Sequence, residues 1–232
     1  MGMSAFTGFS PALFQFLQEL RSNNNKDWFA DNKERYQQQV QQPMVAMMTA
    51  LQPGLQAISP HFRVIAKAHN GSLFRIYRDT RFGHDKTPYK THAACQFRHA
   101  VGKDVHAPGY YIELAPEHVI IAAGIWLPPT PVLNQVRQHI VERAEQWQSI
   151  KTDATLTALL GGIEGEQLRG MPRGFSQELP HPEDVRRKSF IVSTTWLPEE
   201  AQQSYFFDEL LRTYAAASPF MSFLCRALEL PF

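Results

Sequence analysis

Between Phe74 and Lys90 the chain sets cations and carboxylates within a few residues of one another: Arg75, Arg78, Asp79, Arg81, Asp85, Lys86 and Lys90, with Tyr77 and Tyr89 among them. A planar guanidinium holds a carboxylate or phosphate through two parallel hydrogen bonds, so Arg75, Arg78 and Arg81 can grip an anion from several sides. Read as a strand, residues 72 to 79 send Arg75, Tyr77 and Asp79 to one face and Phe74, Ile76 and Arg78 to the other. The first of these faces is too polar for ordinary core. Asp79 and Asp85 suit two kinds of work, proton transfer or retention of a hard cation against a phosphate. They also suit a purely structural role, as counter-charges that fix a loop.

A second basic group follows much later: Arg169, Arg173, His181, Arg186, Arg187 and Lys188. Charge runs usually face water. If the glycine-rich and proline-rich stretch from Thr152 to Pro182 folds over a sheet, it brings Arg173 and His181 toward Arg75. His181 is then the natural proton-transfer group, because imidazole titrates near neutrality. The expected ligand-binding set is therefore Arg75, Tyr77, Arg78, Arg81, Lys86, Tyr89 and Arg173, with Asp79, Asp85 and His181 as candidate catalytic groups. His92-x-x-Cys95-x-x-x-His99 carries metal-ligand types, but its spacing fits no strong zinc pattern, and strand alternation sends His92 and Cys95 to opposite faces. No metal is expected there. Cys225, among Phe223, Leu224 and Leu228, reads as core. No phosphate-binding glycine loop, dinucleotide fingerprint, nucleophile elbow or zincin motif occurs, and no cofactor is named by the sequence.

The elements that must position these groups follow from hydrophobic period. Ser10-Pro11 starts a helix whose Leu13, Phe14, Phe16, Leu17 and Leu20 recur at helical spacing to about Arg21. Asn23-Asn24-Asn25 makes a turn, a second helix runs from Asp27 toward Pro43, and a third continues from there until Pro53 kinks or ends it. The period then shortens. Residues 63 to 68 and 72 to 80 read as β segments about the Asn70-Gly71 turn, followed by strands over 91 to 97, 109 to 114 and 118 to 125. Val132 to Gln148 is helical, a short helix ends at Gly161-Gly162, Ser189 to Trp196 is a strand, and helices over 198 to 217 and 220 to 228 close the chain. Trp28, Trp126 and Trp196 adjoin apolar segments and are expected in the core. The reading is a single α+β domain over residues 1 to 232, a mainly antiparallel sheet flanked by N-terminal and C-terminal helices.

Composition narrows the functional classes. With 23 Lys+Arg against 22 Asp+Glu, a surface devoted to polyanions is excluded, so nucleic acid ranks below an anionic small molecule as a partner. Two cysteines make no disulfide framework, no signal segment opens the chain and no apolar run reaches bilayer length, which points to a cytoplasmic protein without a membrane partner.

The residues Arg75, Arg78-Asp79, Arg81-Phe82, Asp85-Lys86 and Tyr89-Lys90 resemble the signature of the bacterial and fungal family designated domain of unknown function 2461. The resemblance extends to Trp28-Phe29, Gly124-Ile125-Trp126, Pro172-Arg173-Gly174-Phe175, His181-Pro182 and Lys188-Ser189-Phe190. It implies membership over nearly the whole chain and implies no activity. Binding of an anion, catalysis on it, a nucleic-acid-associated module and a structural ion-pair network all remain open from sequence.

Overall fold

The computed structural model describes residues 6 to 81, 84 to 101 and 107 to 232. Phe82 of the sequence signature lies outside them. Helix α1 (Pro11–Ser22) begins as its sequence demands: the Ser10 side chain accepts from the Ala12 N–H, Pro11 supplies a helical φ, and one stripe from Leu13 to Leu20 is buried. Helix α2 (Lys26–Asp31) is capped by the Asn25 side chain, which accepts from the Trp28 N–H. The expected long second helix is instead α2, the single turn α3 (Lys33–Tyr36) and a wider π turn over Gln37–Gln41 that runs into α4 (Gln42–Ile58). Asn32 at φ −107°, ψ 12° breaks the first of these joints.

Of the two expected effects of Pro53, a kink or an end, the second does not occur: α4 continues through it to Ile58. Proline removes one helical donor, but Leu51 and Leu55 on either side of it are fully buried, and that burial outweighs the lost bond. Nor do residues 63 to 80 form regular strands. Following the Phe62–His99 pair they make only isolated antiparallel pairs, Leu73 with Cys95 and Tyr77 with Tyr89, because the chain leaves the sheet edge at Ile65 and returns at Ser72, with Asn70 at φ 54°. The return is closed by the Ser72 N–H donating to the Ile65 carbonyl at 2.9 Å.

Five strands form an antiparallel sheet: β1 (Ala93–Arg98), β2 (Gly109–Leu114), β3 (Val119–Ile125), the short β4 (Ile163–Glu164) and β5 (Phe190–Trp196), in spatial order β1-β2-β3-β5-β4. Alternation assigns the faces. Cys95, Phe97, Tyr110, Ile112, Ile121, Phe190 and Val192 are fully buried, while Gln96, Tyr111, Glu113, Ala122 and Ser193 on the other face are only half-buried.

The central helices α5 (Thr130–Glu142) and α6 (Ala144–Lys151) replace the one helix expected over 132 to 148, with the break at Arg143 (φ −119°). Then come α7 (Ala154–Leu160), closed by Gly161 at φ 71°, and the turn α8 (Pro182–Val185). Helices α9 (Phe206–Ala216) and α10 (Ser218–Ala227) both lie against β3. Tyr214 of α9 is packed beside Tyr110 and Phe97, and its hydroxyl donates to the Tyr111 carbonyl at 3.0 Å. Trp147, rather than Trp126, is the fully buried tryptophan. Trp126 is 61% exposed, since it follows the last register pair of β3, Ile125 with Phe190, where the chain turns away through Leu127 at φ 40°. Among the described residues, no helix is long and apolar enough to cross a membrane.

Candidate functional site

The described parts of the 75 to 90 segment, residues 75 to 81 and 84 to 90, leave the β1 edge as two irregularly paired arms of a hairpin. Its base is an antiparallel pair, Tyr77 with Tyr89, held by the Arg78 N–H to the Pro88 carbonyl (2.9 Å) and the Lys90 N–H to the Ile76 carbonyl (2.8 Å). Tyr89 is buried and stacked on Phe29 at 4.1 Å between centroids. The Asn24 side chain clamps its backbone, donating to the Tyr89 carbonyl at 2.9 Å and accepting from its N–H at 3.1 Å. A carboxamide with one donor and one acceptor thus completes a strand-like pairing from the α1–α2 turn. Tyr89 is therefore a structural anchor, whereas Tyr77 is 50% exposed.

Above this base, alternation survives without a regular strand: Arg75, Tyr77 and Asp79 are exposed, and Ile76 is buried. The aspartates act on their own arginines. Asp79 accepts from Arg81 through Nε at 3.0 Å and Nη2 at 2.7 Å. The side-chain and backbone bonds from Arg81 hold its carboxyl well down, at about 2. Arg78 donates to Asp85 and to the Thr87 hydroxyl. The Thr87 N–H and Arg78 lower Asp85 to about 2. Lys86 donates to the Thr80 carbonyl at 2.9 Å. Asp79 and Asp85 are separately engaged rather than facing each other as an acid–base pair.

Arg75 differs from its neighbours. Among the described residues its guanidinium makes no hydrogen bond, and its charge is felt on two sides, by Asp79 and by Lys90. Lys90 lies over the Phe74 ring at 5.2 Å. Burial lowers its pKa first and the Arg75 charge lowers it further, against the opposing pull of Glu113.

Glu113 is the centre of a cluster that sequence reading missed. Its carboxylate, 16% exposed, accepts from the Tyr111 hydroxyl at 2.5 Å. It lies 3.2 Å from His118 Nε2 and 3.7 Å from His92 Nε2. Register explains the meeting: Glu113 pairs with Ala94 on β1, two residues beyond His92, and sits across the β2–β3 turn from His118. Glu113 and Tyr111 stand two apart on one strand face, a spacing visible in the sequence, but the pairing of strands was needed to add the histidines. Burial, with Lys90 and His118 nearby, depresses the His92 imidazole's pKa in spite of Glu113.

A cleft of about 240 Å³ adjoins this face at the β1 edge, walled by Phe74, Gln96, Arg63 and Arg98. Arg98 Nε donates to Gln96 Oε1 at 2.9 Å. Two larger concavities lie elsewhere, one of about 360 Å³ near Tyr205 and Arg212 and one of about 450 Å³ near His139 and Arg226. Arg212 in the first is already paired with Glu209 at 2.6 Å; the smaller cleft shares its Phe74 wall with Lys90, whose ammonium lies over that ring.

The late basic group does not reach Arg75. β4 is the edge strand opposite β1, and the segment after it is pinned to that side. His181 Nε2 is 2.9 Å from the Ala144 carbonyl on the helical layer, and Arg173 is exposed on the Pro172–Phe175 turn. Nor is this group only a solvated surface. Asp184, 1% exposed, accepts from Trp147 Nε1 (2.9 Å), Lys151 Nζ (2.8 Å) and Arg187 Nε (2.9 Å), which draws Arg187 inward. The metal-type residues also part: Cys95 is in the core with its thiol pKa raised by burial, and His99 Nε2 is 2.8 Å from the Pro231 carbonyl.

These features define an α+β protein with a cationic hairpin beside a histidine-flanked carboxylate on a half-buried sheet face. The family profile of the conserved hypothetical proteins designated domain of unknown function 2461 matches residues 12 to 223, and the chain belongs to that family. No curated protein matches it.

Proposed function

We propose that this protein binds an anionic small molecule, phosphorylated or carboxylated, where the 75 to 90 hairpin meets the half-buried sheet face. The observation that carries the reading is the place of Lys90, at 5.2 Å over the ring of Phe74, the residue before Arg75. The like charge of Arg75 disfavours that of Lys90, and the Arg75 guanidinium makes no hydrogen bond among the described residues. Like charges held together are stabilised by a ligand of opposite charge. Arg63 and Arg98 border the neighbouring cleft and add to the same field. In this reading Tyr77 offers an exposed ring at the rim, and Asp79, Arg81, Arg78, Asp85 and Lys86 brace the hairpin rather than contact the ligand. A purely structural role is favoured for these five by their mutual hydrogen bonds and those to Thr80 and Thr87.

The test is thermal denaturation at low ionic strength with sulfate, inorganic phosphate and citrate. A specific anion is expected to raise the midpoint of the wild type, with the rise abolished in Arg75→Gln/Lys90→Gln and kept in Arg212→Gln. Equal shifts in all three proteins, or none in the wild type with any of these anions, would overturn the reading.

A further inference from the structure

We propose that an anion held at Arg75 and Lys90 enters together with a proton, taken up at the His92 imidazole in the cluster that it forms with His118 around Glu113, so that the site favours doubly charged oxyanions. The inference rests on the anion-binding reading above and names the ligand class and pH response of that site. Its basis is geometric. His92 Nε2 and His118 Nε2 approach the two oxygens of one carboxylate, at 3.7 Å from Oε2 and 3.2 Å from Oε1, and the Tyr111 hydroxyl also donates to Oε2. Both rings are about one-third exposed, so the cluster is open to solvent and to a ligand.

The titratable and charged groups around His92 come from several pieces of chain: Lys90 on its own segment, Arg75 on the opposite arm of the hairpin, Tyr111 and Glu113 on β2, and His118 in the β2–β3 turn, where Glu117 pairs with Arg21 of α1. Without ligand, burial, the Lys90 charge and the neighbouring His118 disfavour protonation of His92, and Glu113 opposes them. An anion bound to Lys90 and Arg75 cancels the cationic half of that balance. Protonation of an imidazole then becomes easier, and by linkage protonation tightens the anion. A dianion cancels the charges of both Lys90 and Arg75, so that little cationic field is left to oppose a new imidazolium. A monoanion leaves one cation uncompensated, and protonation beside it stays disfavoured.

Sulfate is the probe, because it stays doubly charged across the range and any proton taken up goes to the protein. Calorimetric titration from pH 6 to 8, in buffers of different ionisation heat, reads affinity and proton uptake together. Wild-type affinity is expected to fall by up to about tenfold per pH unit as pH rises, with net proton uptake, and nitrate is expected to bind more weakly with less uptake. His92→Gln/His118→Gln is expected to bind sulfate with no proton uptake and a flat pH profile. Circular dichroism confirms that this double variant is folded, and His92→Gln alone, expected to lose part of the uptake, serves in its place if it is not. Sulfate binding without uptake in the wild type, or uptake that persists undiminished in the variants, ends this inference and leaves the anion site standing. Absence of sulfate binding at every pH ends this inference, and it ends the anion site as well when phosphate and citrate also leave the wild-type midpoint unmoved.

Discussion

Arg78, Arg81 and Arg75 share a residue type and a seven-residue stretch, yet they have different work. Arg78 and Arg81 complete local hydrogen-bond sets with Asp85, Thr87 and Asp79. These groups are solvent-exposed, where an ion pair adds little net stability, so their effect is on loop geometry. The aspartates carry a clear pH signature. Each folded pKa is depressed to about 2, below the ordinary 3.8, so whatever the pairs contribute is present above pH 4 and is lost as pH falls toward 2. Carboxylate carbon shifts followed by NMR are expected to titrate near pH 2 for Asp79 and Asp85, and in Arg81→Gln the Asp79 midpoint is expected to return toward 3.8. An unmoved midpoint in that variant would show that the Arg81 pairing does not form in solution.

At the scale of elements, the sheet depends on one backbone approach. Gly124 has φ 138°, and a Cβ there would stand 2.1 Å from the Phe190 carbonyl oxygen on β5. A side chain is thus opposed both by conformation and by the neighbouring strand. Gly124→Ala is expected to destabilise the protein by about 1 to 3 kcal/mol, read from the midpoint of urea unfolding. Gly161→Ala, also at positive φ but with open space around the added methyl, serves as comparison and is expected to cost less. Equal costs at the two glycines would show that the β3–β5 approach is looser than described. The hairpin base has its own element-scale tie in Asn24, whose two hydrogen bonds to Tyr89 link the first two helices to the candidate site.

For the whole molecule, Asp184 decides where the long segment after β4 goes. A carboxylate 1% exposed is opposed by desolvation, but hydrogen bonds from Lys151, Trp147 and Arg187 overcome it and keep its pKa below the ordinary value. Asp184→Asn leaves two cations facing a neutral group and is expected to cost about 3 kcal/mol in chemical denaturation. The sign with pH is that of a depressed carboxylate: its stabilisation is present above about pH 4 and declines as the solution is acidified below that. A wild type and variant with indistinguishable unfolding midpoints at pH 7 would show that the hub contributes nothing. Anion binding should be preserved in this variant wherever it remains folded, since the hub and the Arg75–Lys90 site lie toward opposite edges of the sheet.

Local chemistry made much of this protein legible from its residues alone. Period and capping located α1, the strands β1, β2, β3 and β5, and the helix ending at Gly161, because those signals act over a few residues. The dense charges of the 75 to 90 hairpin, and the family they mark, were likewise plain in the order of residue types. What required tertiary structure was every question of partner. Whether an arginine is engaged or available depends on which carboxylate comes within hydrogen-bond reach, and Arg78 and Arg75 look alike until that is known. Glu113 meets His92 and His118 only through strand register, and Asp184 gains Trp147 and Lys151 only through the packing of α6. Leu51 and Leu55 carry α4 past Pro53 because burial, a property of the assembled core, outweighs a local backbone preference.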